Sequence, residues 1–220
     1  MGNPNQRIIV VNKNVLFGND YFEGFRLAEE IDYESRILKN FQVMRRGSTS
    51  EPKNHPEGNA ELNSEYKQPI GYSIVFNPEI RKIFAYKRSL EDKNYGETRL
   101  QGKWSWGFGG HIEPFDTKNG NPIRQSILRE VQREEIKLKG EIYSLRILGY
   151  INNDSDSVGK VHFGMLYLFT TNAERAEAVD PEIAEIRLCS VKDLESLCSS
   201  QDVKVEEWSR IALEPLRKLL

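Results

Sequence analysis

The chain of 220 residues has the length of one ordinary domain, or of one domain with an extension. Its 31 basic and 33 acidic residues leave a net charge of -2, so no bulk field favours a nucleic acid polymer or an anionic membrane as partner, although a local pocket for one small phosphorylated ligand is compatible with this balance. A hydrophobic content of 38% supports a packed core and excludes wholesale disorder.

Targeting signals and cysteine usage indicate a soluble, cytoplasmic protein. The first residues lack the charged and apolar regions of a signal peptide, and no apolar run is long enough to span a bilayer. The two cysteines, Cys189 and Cys198, are too few for a disulfide framework and fit no metal-ligand spacing with the three histidines. We therefore expect reduced thiols.

The N-terminal third shows a domain boundary only through its composition. Residues 8–11 predict a short strand, whereas 23–41 have a mixed periodicity that assigns no element. Residues 45–67 are polar and contain two prolines and two glycines, which indicates a long surface loop or linker. We therefore expect residues 1–65 to form an extension that packs on the main domain or contributes to a homodimer, and residues 66–220 to form the main domain.

Strands dominate the remainder of the chain. Residues 70–76 and 83–86 predict two strands joined by a turn at Asn77 and Pro78, and 91–102 predict a polar loop. The alternation in residues 104–108 predicts a strand with Trp104, Trp106 and Phe108 on one face.

Two further strands and two helices complete the pattern. Residues 142–151 and 161–170 predict strands, and the second is apolar enough to occupy the centre of a sheet. Residues 191–197 and 205–220 predict amphipathic helices. The expected fold class is α/β, with a mixed sheet covered by helices.

An acidic helix stands between these strands. Asn121 is a suitable N-cap and Pro122 suits the first helical position. In a regular α-helix Glu130 and Glu134 share one face, and Glu135 lies about a hundred degrees further round. Their repulsion costs only about 0.2–0.5 kcal/mol per pair, so a solvated charged face and a divalent metal site both account for the helix alone.

The segment before this helix favours the metal. The stretch WGFGGHIEPFD places two glycines after an aromatic strand and then two acids, and it leads into Arg129, Glu130 and Glu134. This arrangement resembles the signature of the Nudix hydrolases: glycine, five residues, Glu, seven residues, then R-E-apolar-x-E-E-x-G-apolar. Gly110 takes the place of the signature glycine, and Asp116 the place of the first Glu.

The sequence departs from that signature at four points. Asp116 replaces Glu, and twelve residues instead of seven separate it from Arg129. Arg133 occupies the place of the first Glu of the E-E pair, and Ile136 the place of the glycine.

The resemblance implies a Nudix-type α/β/α sandwich that hydrolyses a diphosphate linkage in a nucleoside diphosphate derivative with Mg²⁺ or Mn²⁺. Glu130 and Glu134 would be the principal metal ligands and catalytic acids, because Mg²⁺ prefers a few carboxylates and leaves positions for water and phosphate. Arg129 would orient an acid of the motif. Further candidate ligands are Glu135, Glu113 and Asp116.

Substrate contacts are expected around the glycines. Gly109 and Gly110 would allow the backbone to approach the phosphates or to adopt positive φ, although an ordinary turn is an alternative. Arg99 could clamp a phosphate or be a solvated loop arginine, and His111 could bind substrate or act as a base. His162 is better explained as a hydrogen-bonded histidine in a buried strand.

Two alternative functions are also compatible with the sequence. The departures are compatible with a nucleotide-binding sensor or interaction module of the same fold. The second alternative is an enzyme related to isopentenyl diphosphate isomerases. Such an enzyme requires a catalytic cysteine together with a metal-binding histidine cluster, and Cys189 and Cys198 do not obviously meet this requirement.

Overall fold

The computed structural model describes residues 3–91 and 98–220, without the side chains of Thr98 and Asn119. The strands of these residues are β1 Arg7–Asn12, β2 Gly24–Leu27, β3 Gln42–Arg45, β4 Tyr66–Asn77, β5 Lys82–Arg88, β6 Trp104–Ser105, β7 Ile136–Leu138, β8 Ile142–Asn152, β9 His162–Thr171, β10 Ala176–Ala178 and β11 Ile183–Cys189. The α-helices are α1 Lys13–Phe17, α2 Tyr33–Asn40, α3 Pro122–Arg129, α4 Val191–Ser199 and α5 Glu207–Leu219.

A large mixed sheet forms the centre of the fold. Its main path runs β11-β5-β4-β9-β8-β2, and β1, β3 and β6 pair at its margins. β4 and β9 are parallel, whereas β9 and β8 are antiparallel. The apolar segment 161–170 therefore occupies the centre of the sheet, as the sequence predicted, because both of its edges are paired and both of its faces are covered.

Helices cover both faces of the sheet. Alternation along β4 sends Val75 into a core shared with α1, α2 and α3, and sends Ile74 and Phe76 into a second core shared with α4 and α5. The predicted α/β/α sandwich with a mixed central sheet is thus confirmed.

The N-terminal residues share the main sheet. β1 pairs with the start of β4 through Val11 and Lys67, and β2 pairs with β8. The polar segment 45–67 contains little regular structure beyond the 3₁₀ turn Ala60–Leu62, but Asn59 and Glu61 within it are buried. This segment therefore lies against the domain and does not project into solvent as a linker.

The aromatic stretch before the glycines is not one continuous strand. Trp104 and Trp106 lie in the core beneath α5, whereas Phe108 lies in the opposite core beside Tyr86. The prediction that the three rings share a face was wrong, because the strand ends at Ser105 and its alternation does not continue to Phe108. A Cβ on Gly107 would lie 2.1 Å from the ring of Tyr72, so this ring occupies the space that a side chain at position 107 would need.

Two further expectations concern the chain as a whole. In the predicted loop 91–102, residues 98–100 form a 3₁₀ turn, and 92–97 lie outside the described residues. Within the described part of the chain, no helix combines the length and apolar character that a membrane crossing requires.

Candidate active site

A cavity of about 430 Å³ opens between the glycines, the end of α3, the loop after β8 and the start of α5. Its size is within the range of small-molecule sites. Among the residues that the structure describes, the acidic ones that line the cavity are Glu61, Glu130, Glu135, Asp156, Asp180, Glu182, Glu206 and Glu207. The basic ones are Arg46, Arg88 and Lys103. The excess of acids favours a site that holds a cation.

Gly109 and Gly110, here called the glycine corner, form one wall of the cavity. A Cβ on Gly109 would lie 1.8 Å from the carbonyl oxygen of Gly71, and one on Gly110 would lie 2.5 Å from Oε1 of Glu130. Neither residue has a positive φ, so that part of the expectation was wrong. The corner requires glycine because β4 and the Glu130 carboxylate approach the backbone so closely.

The helix that follows begins where the sequence predicted. Oδ1 of Asn121 accepts hydrogen bonds from the N–H groups of Ile123 and Arg124, and Pro122 occupies the first helical position. Ile123 and Ile127 are fully buried, which fixes the rotation of α3 against the sheet.

The end of this helix is not α-helical. A π-helical turn, Glu130–Glu134, follows α3, and the N–H of Glu135 donates to the carbonyl of Glu130 at 2.9 Å. In a regular α-helix residues five apart point about 140° apart. The π turn instead allows Val131 and Ile136 to enter the same core, and it leaves Glu130 and Glu135 both lining the cavity.

This turn changes how the sequence matches the Nudix signature. If Arg133 is one extra residue, Glu134 and Glu135 become the E-E pair, and Leu138 takes the final apolar position. Two of the departures, at Arg133 and Ile136, then reduce to one single-residue insertion that the helix accommodates as a π turn. Lys137 then stands at the glycine position, and Asp116 and the longer spacing before Arg129 remain as departures.

Arg129 holds the acids of the motif together. Its guanidinium donates to Asp116 at 3.1 Å, to Glu130 at 2.8 Å, to the carbonyl of His111 at 2.9 Å, and also to Glu134. Burial by itself would lower the pKa of Arg129, but the neighbouring carboxylates outweigh it and raise that pKa. This largely buried hub differs from an ordinary surface ion pair.

The two cavity carboxylates suit a divalent cation. Burial raises the pKa of Glu130 to about 7. The negative charge of Glu134 also raises this pKa, whereas the positive charge of Arg129 lowers it. Burial and then the charge of Glu130 raise the pKa of Glu135 well above its usual value. Oε2 of Glu135 has no hydrogen-bond partner among the described residues. Two buried, mutually repelling carboxylates with an unsatisfied oxygen fit Mg²⁺ or Mn²⁺.

The other predicted ligands lie elsewhere. The Glu134 side chain is half exposed and pairs with Arg129. Asp116 is buried beneath Arg129 and accepts from the N–H of Glu113 at 2.9 Å. Glu113 stands 3.9 Å from the same guanidinium. These three acids therefore surround Arg129, and none of them is among the described residues that line the cavity.

Two histidines meet inside the cavity. His111 Nε2 lies 2.7 Å from Oε1 of Gln68 and 3.4 Å from Nε2 of His162. Burial, followed by the charges of Arg46, His162 and Arg129, lowers the pKa of His111 well below its usual range. His162 is buried at the start of β9, as expected, but its ring also faces the cavity.

Sequence reasoning did not find the contribution of the N-terminal residues. Arg46 and Glu61 line the cavity, and Arg46 Nε donates to Glu61 Oε1 at 2.9 Å. Arg99 lies nearby, 3.8 Å from Glu61 Oε2, and donates to Ser157 Oγ at 2.7 Å. Glu61 is one of four glutamates in the polar segment 45–67, and no local pattern distinguishes it from a solvated residue.

Ion pairs hold the loop after β8 in place. Asp154 pairs with Lys13 and with the fully buried Lys67, whereas Asp156 faces the cavity. The cysteines lie away from this region: Cys189 is buried and Cys198 partly buried, and no cysteine is among the described lining residues. The thiol that an isomerase of this fold requires is therefore not placed at the cavity.

The sequence of this chain matches no model of a known protein family. YmaB of Bacillus subtilis strain 168 is 28% identical over 229 aligned residues, which span 98% of this chain and 100% of YmaB.

Comparison of structures identifies the fold. Tm1382, a candidate Nudix hydrolase, superposes with a TM-score of 0.72 at 23% identity over 98% of this chain and 100% of its own. A bifunctional NMN adenylyltransferase/ADP ribose pyrophosphatase from Francisella tularensis, solved with AMP and a manganese ion, has a TM-score of 0.50 at 15% identity, over 70% of this chain and 42% of its own. The chain has the Nudix fold, and the match with Tm1382 extends through nearly all of its length.

Proposed function

We propose that this protein is a metal-dependent pyrophosphohydrolase that cleaves the diphosphate linkage of a nucleoside diphosphate derivative. The observation that carries the proposal is the pair of buried carboxylates, Glu130 and Glu135, which the π turn places together at the glycine corner. Burial and mutual repulsion both disfavour the charged forms of these carboxylates, and a bound divalent cation would offset both costs.

Glu130 and Glu135 would hold Mg²⁺ or Mn²⁺, which when bound neutralises phosphate oxygens and lowers the pKa of a coordinated water. Arg129 donates a hydrogen bond to Oε1 of Glu130, and Gly110 lies against the same carboxylate. The assignment differs from the expectation for Glu134, which we now propose to be a partner of Arg129 at the rim.

The rest of the cavity suits the two ends of such a substrate. Lys103 lines it and can bring positive charge to a diphosphate, whereas Arg88 also lines it but pairs with Glu182 at 3.3 Å and with Glu206. Tyr72 and Trp208 form an aromatic wall, with ring centroids 5.5 Å apart, against which a base can pack. The AMP and manganese bound by the Francisella protein belong to the same chemical class of ligands.

The test compares two glutamine variants with a matched control. Purified Glu135→Gln, Glu134→Gln and the exposed control Glu174→Gln are assayed with Mg²⁺ and a panel of nucleoside diphosphate derivatives. Because loss of even an outer partner of a metal ligand costs about 10–100-fold, we expect Glu135→Gln to lose at least about 100-fold in kcat. Glu134→Gln should lose less, and Glu174→Gln should match the wild type.

Two results would contradict the proposal. Full turnover by Glu135→Gln would show that the carboxylate pair does not hold the catalytic ion. Saturable nucleotide binding by the wild type without turnover of any compound would instead support a sensor or interaction module.

A further inference from the structure

Three potential metal ligands from distant parts of the chain converge on one side of the cavity. Glu61 comes from the 3₁₀ turn of the N-terminal segment, His111 follows the glycine corner, and His162 begins β9. Their ligand atoms all lie within 4.8 Å of one another. Glu61 and His162 are buried and His111 is partly buried, so the group is not a chance cluster on an exposed surface.

The distance between the imidazoles of His111 and His162 matches the distance expected when both coordinate one metal ion. Their Nε2 atoms are 3.4 Å apart, which is longer than an ordinary nitrogen hydrogen bond. Two imidazole nitrogens bound at about 2.0–2.1 Å to one tetrahedral zinc ion are about 3.3 Å apart. The rings are therefore already spaced as a single ion would require.

Neighbouring groups orient two of the three ligands. Nδ1 of His162 donates to the carbonyl of Val158 at 2.7 Å, so its Nε2 presents a lone pair to the cavity. Glu61 receives Arg46 on Oε1, while Oε2 is buried without a hydrogen-bond partner among the described residues. Metal-binding histidines commonly donate their other ring N–H to a carbonyl, and metal-binding carboxylates commonly accept a hydrogen bond on their second oxygen. These hydrogen bonds hold the ligands in position.

We propose that Glu61, His111 and His162 form a second metal site, selective for a divalent transition metal such as Zn²⁺. Two imidazoles and one carboxylate suit Zn²⁺, whereas Glu130 and Glu135 offer only oxygen and suit Mg²⁺ or Mn²⁺. Three protein ligands leave a fourth position open toward the cavity. The site does not depend on the proposed hydrolysis, because metal binding is measured without turnover.

The charges around the cluster are compatible with a cation. Arg46 and Arg99 approach Glu61 and oppose binding, but eight acidic and three basic residues of the described chain line the cavity. The repulsion from the two arginines disfavours ions such as Mg²⁺ that rely on charge alone. It is less important for an ion that forms strong bonds to imidazole nitrogen.

Gln68 must respond when the ion binds. Its Oε1 lies 2.7 Å from Nε2 of His111, and its own Nε2 is buried without a hydrogen-bond partner among the described residues. Once His111 coordinates through Nε2, that nitrogen carries no proton to donate. The amide then either turns away or offers Oε1 as the fourth ligand.

Metal binding in excess Mg²⁺ tests the proposal. Chelator-treated protein is supplied with millimolar Mg²⁺ to occupy the carboxylate pair and is then titrated with Zn²⁺ by calorimetry, and with Co²⁺ by visible absorption. We expect one equivalent of Zn²⁺ and the intense ligand-field bands of four-coordinate Co²⁺. His162→Gln and Glu61→Gln should each weaken Zn²⁺ binding by at least about 10-fold.

Two control variants distinguish this site from a surface histidine and from the carboxylate pair. His55→Gln changes the one remaining histidine of the chain, in a surface turn, and should bind Zn²⁺ like the wild type. Glu135→Gln should keep Zn²⁺ binding while losing hydrolysis, so that failure of either site is seen separately. Far-UV circular dichroism verifies that each variant is folded.

Three outcomes would overturn the proposal. They are no Zn²⁺ uptake by the wild type in excess Mg²⁺, uptake with unchanged affinity in folded His162→Gln and Glu61→Gln, and loss of Zn²⁺ in Glu135→Gln alone. The last result would place the transition metal at the carboxylate pair.

Discussion

Replacing Gly110 with alanine should displace the Glu130 carboxylate without unfolding the protein. The added Cβ would lie 2.5 Å from Oε1, 2.8 Å from Cδ and 3.0 Å from Oε2 of Glu130. Comfortable contacts between such atoms are about 3.5–4.0 Å, so the carboxylate must move by about 1 Å. Arg129 donates to Oε1 at 2.8 Å, so the displacement must either break this hydrogen bond or move the guanidinium as well.

The expected effect is larger on catalysis than on stability. A displacement of about 1 Å at a catalytic group can cost about 100-fold in rate, so kcat with Mg²⁺ should fall by roughly that factor. Local overpacking costs about 1–3 kcal/mol, and each kcal/mol lowers the Tm of a chain of this size by about 2–4 °C. The φ of Gly110 is not positive, so alanine adds no backbone strain there.

The neighbouring glycine provides the contrast. In Gly109→Ala the new Cβ would lie 1.8 Å from the carbonyl oxygen of Gly71, and the backbone of β4 cannot yield as a side chain can. We expect that variant to be severely destabilised in thermal unfolding. A Gly110→Ala protein with wild-type kcat and metal dependence would refute the reasoning, because Glu130 would then tolerate displacement from the position that we assign to it.

Two further predictions concern the loop below the cavity and the π turn. Asp154→Asn leaves the fully buried Lys67 without its counter-charge and should lower the free energy of unfolding in urea at pH 7 by about 3 kcal/mol. This is the lower end of the range for a broken buried pair, because Lys67 still donates to two carbonyl groups. Burial of Asp154 raises its pKa, but Lys13 and Lys67 outweigh burial and lower that pKa below 3.8. The stability that the pair contributes to the wild type is therefore full above pH 3.8 and is lost as the pH falls through the folded-state pKa. An Asp154→Asn protein whose stability equals that of the wild type at pH 7 would contradict this prediction. Deleting Arg133 should let α3 continue as a regular helix and keep turnover within about tenfold, or about 1.4 kcal/mol; a folded deletion variant that has lost turnover would show that Arg133 is not an extra residue.

Local pattern determined much of this fold in advance. The apolar segment 161–170 predicted a central strand, and Asn121 with Pro122 predicted the start of α3. Both signals depend on neighbours within a few residues, on capping and on side-chain alternation, so they can be recognised in the sequence without knowledge of the tertiary contacts. The resemblance around the glycine corner likewise led to the fold that the structure has.

The register of the acidic helix depended on tertiary packing. In the sequence, one extra residue at Arg133 cannot be distinguished from a substitution there. The choice was made by the core, which receives Val131 and Ile136 together and so requires the i to i+5 turn. The same turn carried Glu135 into the cavity and left Glu134 at the rim.

The composition of the cavity wall was decided by the fold alone. Glu61 lies fifty residues before His111, and His162 a further 51 after it, so no local periodicity connects them. They meet because β1 joins the N-terminal segment to the edge of β4, while β9 pairs with the same strand in parallel. Short-range preferences set the strands and helices, but side-chain burial over the whole chain set which acids and histidines share one space.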